Sequence, residues 1–324
     1  MQNLALIYKA FYASNDCIDF KDFKDFVELY CSKNEQNKDS FDMSILTMYE
    51  KDPAYIEKQL LKLILELNNI PLELEYLTFY IYKMSVRSIS DEGNNGILMD
   101  ELFSYTISSF LLTVFSLSYD SSSQNFERCF KNLIVTLDLQ GRRKIIGTHN
   151  KSEFSEMLCM PQNVLSLASD AYWCIFSFII GHELYHLMHK DEKSSLEDEL
   201  NADRFGYTIL INMIEFQKVN QIPKELQVYS ENLYLSPVMF LEYFRLYDYF
   251  QGLCDANSYT HSPFSPELRE RLIIESYFED IPESFNTDEG NDLLNNFLDA
   301  VDMLEEQLKI KFNNGKLDLI INKH

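Results

Sequence analysis

The chain is short of the residues that break helices and of those that staple loops. Only 9 of its 324 residues are Gly and 8 are Pro. That is too few for the closely spaced tight turns of an all-β fold, so a mostly helical protein is expected. There are six Cys, at 17, 31, 129, 159, 174 and 254, and no two of them form C-x-x-C. With Cys174 inside an apolar run, they read as reduced thiols in a cytoplasmic protein, not as a disulfide frame or a zinc ribbon. Positive charge is scarce as well: 28 Lys and Arg stand against 51 Asp and Glu, a formal net charge of −23. A surface of that sign repels phosphate backbones and anionic headgroups, so neither nucleic acid nor a membrane is the expected partner. It suits solubility, and the partner chemistry it leaves open is a basic protein. The N-terminal run Met1 to Lys9 lacks the basic segment and long apolar core of a secretory leader. No apolar run reaches the roughly 18 residues of a membrane span; the nearest are 107–119 and 171–181.

What is present is a chain that is 46% hydrophobic and rich in Phe and Tyr, large enough for one big or two ordinary domains. Phe20, Phe23, Phe26, Val27 and Tyr30 recur at helical spacing ahead of a polar stretch, 32–40. Asp52 and Pro53 suit the start of a helix whose stripe is Ile56, Leu60, Leu63, Ile64 and Leu67, closed by Asn68-Asn69. Residues 72–89 are expected as another helix, 91–96 as a loop, and 99–118 as a long helix. Leu133 to Leu137 either ends a helix or forms a strand, and 133–148 is the candidate for a small sheet, with Arg142, Arg143 and Lys144 at its turn. Helices are expected over 164–189, from about 196 onward until a break near Pro223, and over 237–252, 266–278 and 293–312. The aromatic stripes read as core packing. No internal repeat is visible.

The chemistry lies in His182-Glu183-Leu184-Tyr185-His186, which closes the most apolar run of the chain, 171–181. On a helix, positions four apart lie about 40° from each other, so His182 and His186 can offer two imidazoles to one ion. Glu183 lies beside that face, placed to take a proton from water. A run that is hydrophobic all round fits a buried helix. Zinc chemistry needs a third protein ligand. Glu199 is one candidate, Glu197 another, and His189, three residues past His186, a third; His189 also suits a helix C-terminus, and Glu197-Asp198-Glu199 an acidic first turn.

H-E-x-x-H followed by Glu199-Leu200-Asn201-Ala202-Asp203 resembles the gluzincin metallopeptidases. The resemblance implies that Glu199 is the third zinc ligand and that Asp203 accepts a hydrogen bond from His182 and sets its tautomer. It also implies that Ala202 lets two helices approach. Only twelve residues separate His186 from Glu199, fewer than in many gluzincins. Further on, Tyr259-Thr260-His261-Ser262-Pro263 and Arg269 look like the H-P…R signature of M48-type domains, with Ser262 inserted. By that likeness His261 serves the oxyanion and Arg269 braces Asp203. The lack of spans makes the chain more similar to the soluble ImmA-type and phage-exclusion Lit-type peptidases than to membrane M48 enzymes.

The expected architecture is therefore mostly α: a helical N-terminal region over 1–130 for recognition or regulation, a zincin-like domain with a small sheet over 131–280, and a helical extension over 281–324. The expected activity is zinc-dependent hydrolysis of a specific intracellular protein or peptide, in regulation or phage defence. The rival from another class is a zinc-bearing module that binds and regulates without catalysis.

Overall fold

A computed structural model describes residues 55–79, 86–91, 94–141, 161–189, 195–219, 231–254, 266, 269, 271–275 and 287–314. The first helix, α1 (Tyr55–Leu67), forms where its stripe predicts and buries Leu60, Leu61 and Ile64. Asn69 follows it in the left-handed region, φ 50°, which Asn tolerates better than most residues. The Ile70 N–H donates to Leu65 O at 3.0 Å and the Asn69 N–H to Glu66 O at 3.3 Å, closing the helix with a Schellman arrangement. Asp52, Pro53 and the helix expected near 20–30 lie outside the described residues.

The next stretch corrects the sequence reading. Residues 72–89 do not form a helix: they contain β1 (Leu74–Phe79) and β2 (Val86–Asp91), and the expected loop 91–96 runs into β3 (Asn94–Asp100). The sheet order is β1-β3-β2, with β1 parallel and β2 antiparallel to β3. Leu72-Glu73-Leu74-Glu75-Tyr76 alternates with period two, which is a strand pattern. Its aromatic and β-branched neighbours suit a pleated surface as well as a helix, so pairing with Ile97, Leu98 and Met99 decides the outcome.

Two helices follow, α2 (Glu101–Tyr119) and α3 (Ser123–Gly141). The candidate sheet at 133–148 is therefore also corrected: 133–141 belongs to α3, with Leu133, Ile134 and Leu137 buried at helical spacing. Residues 142–148, including Arg142, Arg143 and Lys144, lie outside the described residues. A polar seam joins α2 to α3. Asn132 Nδ2 donates to Ser109 Oγ at 3.0 Å and to Thr113 Oγ1 at 2.6 Å, and the Ser109 and Thr136 hydroxyls meet at 2.9 Å. These buried groups satisfy one another, which orients the pair without leaving an orphan donor.

The long helix α4 (Gln162–Met188) is the centre of the molecule, packed on by the sheet and by helices from both sides of the sequence. Its residues 173–181 are buried on every face, as an all-round apolar helix must be. By length and composition α4 passes the test for a membrane span, but 72% of that window is buried inside the protein, so core packing accounts for its hydropathy. After it come α5 (Leu196–Val219), a short 3-10 turn (Glu231–Leu233), α6 (Ser236–Cys254) and α7 (Asp288–Asn313). Residues 266, 269 and 271–275 are helical; the break expected near Pro223 is outside the described residues. Helix α7 starts five residues before the expected Leu293 because Thr287 caps it, its side chain accepting the Gly290 N–H at 3.1 Å. Its Leu294, Phe297, Val301, Leu304 and Leu308 join the same core as α2, α4 and α6. The described fold is mostly helical with one small three-stranded sheet.

Candidate metal centre

Two glycines bring α4 and α5 together. A Cβ on Gly181 would lie 2.7 Å from Gly206 Cα, and one on Gly206 would collide with the Phe178 carbonyl oxygen and lie 3.1 Å from His182 N. The backbones touch at this point, which only glycine at both positions permits. Ala202, expected to provide the close approach, is fully buried, and one turn further on Gly206 brings the two backbones into contact. Neither glycine was singled out from the sequence, although an isolated Gly inside a helical pattern is the signal for such a crossing.

One face of α4 presents His182 and His186 across this crossing to Glu199 and Asp203 in the first two turns of α5. His182 Nε2 and His186 Nε2 are 3.1 Å apart; His182 Nε2 is 3.4 Å from Glu199 Oε2, and His186 Nε2 is 3.6 Å from Glu199 Oε1. Ligand bonds of 2.0–2.2 Å in a tetrahedron place donors about 3.4 Å apart. The two imidazoles stand at about that spacing from each other and each from one oxygen of Glu199, though not the same oxygen, and one ligand atom from each of the three residues lies within 4.8 Å of the others. The residues present fit a zinc ion. They are also the expected set. Of the other two candidates, Glu197 is exposed, and His189 is turned away: its Nδ1–H donates to Tyr185 O at 2.9 Å and its ring stacks on Tyr185. Among the described residues no other cluster of His, Cys, Asp or Glu could hold a metal ion.

Behind the triangle is a chain of charge-assisted bonds. His182 Nδ1 donates to Asp203 Oδ1 at 2.9 Å, which leaves Nε2 to face an ion. Asp203, 1% exposed, takes a fork from Arg269: Nε to Oδ2 and Nη2 to Oδ1, both 2.6 Å. Burial alone would raise the Asp203 pKa, but Arg269 and His182 outweigh it and hold the carboxylate below its usual range. Asp203 and Arg269 thus stand where the sequence places them. His261 lies outside the described residues.

Glu183 is beside the triangle and not part of it. Burial pushes its carboxyl above the usual range, opposed by the charge of His182 and by bonds from Ser88. Its Oε2 accepts the backbone N–H of Ser88, on β2, at 2.5 Å. This link from the sheet to the motif was not legible beforehand, because 72–89 was expected to be helical.

The two histidines titrate apart. Burial disfavours charge on His182, but the Asp203 and Glu199 carboxylates outweigh it and lift its pKa to about 9. Burial and the neighbouring His182 hold His186 below its ordinary value. Two cations 3.1 Å apart would repel, so in the metal-free site one ring is charged and the other neutral. An ion at His182 Nε2 must displace a proton. Zinc uptake at pH 7 is therefore expected to release about one proton, and the affinity to rise about tenfold per pH unit between pH 6 and 8. Calorimetric titration in buffers of different ionisation enthalpy measures this; Asp203→Asn, which removes the charge that holds the proton, reduces the release.

No family model, curated protein or solved structure matches the chain. What the chain offers instead is the site itself: two imidazoles and a carboxylate that could hold a metal ion, with a second carboxylate, Glu183, next to them.

Proposed function

We propose that this chain is a zinc-dependent endopeptidase of gluzincin type, acting on a protein or peptide. The observation that carries the reading is the His182–His186–Glu199 triangle with Glu183 next to it and free of ligand duty. A module that only bound metal would have no task for a buried carboxylate there.

A bound zinc ion would polarise a peptide carbonyl and acidify water to a pKa of about 7. The chain's own residues supply the rest. His182 and His186 offer Nε2 and Glu199 a carboxylate oxygen. Asp203, held by Arg269, fixes the His182 tautomer. Glu183 accepts the proton of the attacking water and returns it to the leaving amine. Strand β2 pairs with β3 alone among the described residues; with the Ser88 N–H taken by Glu183, its outer edge leaves the backbone groups of Val86 and Ser90 to an extended peptide. His261 as the oxyanion donor is carried by the resemblance alone. An intracellular regulatory or phage-defence substrate, and the absence of nucleic acid among the partners, belong to the same proposal and rest on the resemblance to soluble ImmA-type and Lit-type peptidases and on the net charge of −23.

Glu183→Gln tests the reading. It is expected to retain about one zinc per chain while cleavage falls by a factor of 10² to 10⁴, the range general-base catalysis supplies. The readouts are metal content by mass spectrometry and hydrolysis of a quenched-fluorescence peptide library. Cleavage unchanged in Glu183→Gln would mean that the activity does not come from this site, and the site would be left as a metal-binding module.

A further inference from the structure

Ser88 has no place in the scheme above, yet it is the residue through which the sheet touches the reacting machinery. Its backbone N–H donates to Glu183 Oε2 at 2.5 Å. In an antiparallel pair, successive residues turn their N–H and C=O alternately toward the partner strand and away from it. The Ser88 N–H reaches Glu183, so it points away from β3, and in the register its neighbours Arg87, opposite Leu98, and Ile89, opposite Gly96, carry the ladder. Opposite Ser88 stands Ile97, fully buried, and opposite Ile97 stands Tyr76, whose ring meets Phe176 of α4 at 5.9 Å. This face of the sheet is fixed against α4 two turns before the motif. Ser88 is thereby held at a set height over Glu183 by packing against the helix that carries it.

We infer that Ser88 is the positioning residue for the Glu183 carboxylate: its backbone N–H holds Oε2, so that the other oxygen is aimed at the water facing the triangle. A Glu side chain with three rotatable bonds loses its reach to a fixed point when it is free to swing, and preorganising it is worth rate and not binding. The inference rests on the peptidase reading.

The test uses the full chain loaded with zinc and a peptide cleaved by the wild type, selected from a quenched-fluorescence octapeptide library. Ser88→Pro removes the N–H and breaks no ladder bond, since that N–H is on the outer side of an edge strand; Ser88→Ala keeps the N–H and is the control at the same position. Turnover, kcat, is expected to fall about 10- to 100-fold in Ser88→Pro and to stay within about twofold of the wild type in Ser88→Ala. KM stays within about twofold of the wild type in both, and zinc stays at about one per chain. Thr208→Ala, an exposed hydroxyl on α5, is the surface control. Wild-type kcat in Ser88→Pro, with Glu183→Gln inactive, overturns the inference and leaves the peptidase standing. A loss in Ser88→Pro that follows lost zinc or a lower melting temperature overturns it too by making Ser88 merely structural. A zinc-loaded wild type that cleaves nothing, as Glu183→Gln does, removes the peptidase reading and this inference with it.

Discussion

Glu199→Ala is expected to weaken zinc binding by on the order of a thousandfold, while Glu197→Ala and His189→Ala keep about one zinc per chain. The triangle sets the size of the effect. Glu199 stands 3.4 Å and 3.6 Å from the two imidazole nitrogens, and without it two nitrogens on one helix must hold the ion alone. The neighbouring acids do not substitute: Glu197 is exposed, and Asp203 is engaged by Arg269 and His182. Asp203→Ala should cost less, about 10- to 100-fold in affinity, because it removes an orienting group and not a ligand. Competition against a chromophoric chelator gives all four affinities on one scale. Zinc held by Glu199→Ala and lost from Glu197→Ala would place the third ligand elsewhere and undo the gluzincin assignment.

Gly206→Ala is expected to cost about 2–4 kcal/mol of stability and to lose zinc binding in whatever fraction remains folded. One added methyl is a small change on most helix faces and raises helix propensity. Here the Cβ would sit 3.1 Å from His182 N and collide with the Phe178 carbonyl. Both are backbone atoms, which cannot rotate aside as a side chain would, so α4 and α5 must move apart. The ligand triangle straddles that crossing, and a separation of even an ångström takes Glu199 out of range of the imidazoles. Gly252→Ala is the matched control, since nothing lies within 4 Å of a Cβ built there. Urea unfolding followed by tryptophan emission, with zinc content measured in parallel, separates the two effects. A Gly206→Ala protein with wild-type stability and full zinc would mean that the crossing has slack that these distances deny.

Most of the site was legible before any fold was known, because helical spacing is a short-range rule. His182 and His186 share a face by virtue of being four apart. The resemblance to gluzincins put Glu199 and Asp203 forward, with Glu197 and His189 left open as the third ligand, and Arg269 followed from the downstream likeness. The helices α1, α2, α4 and α6 appear within a few residues of their expected limits for the same reason: stripes, caps and breakers act locally. What failed was the sheet. Leu72-Glu73-Leu74-Glu75-Tyr76 carries a strand period, but aromatic residues at 76, 79, 80 and 82 also satisfy a helical one, and neither pattern names the strand that will pair. Leu133-Ile134-Val135-Thr136-Leu137 was open between helix and strand: its β-branched residues lean toward strand, and packing in α3, with the polar seam to α2, makes it helical.

The sequence by itself determined a mostly helical chain, the two imidazoles on one turn, the buried character of their helix and the acidic residues available to join them, because each depends on residues within a few turns of one another. Only the tertiary structure decided which acid comes within reach, through the contact of Gly181 and Gly206, and that β2 lies over the motif with Ser88 on Glu183. Both depend on meetings between segments 25 and 95 residues apart, and at that separation geometry comes from packing, not from periodicity.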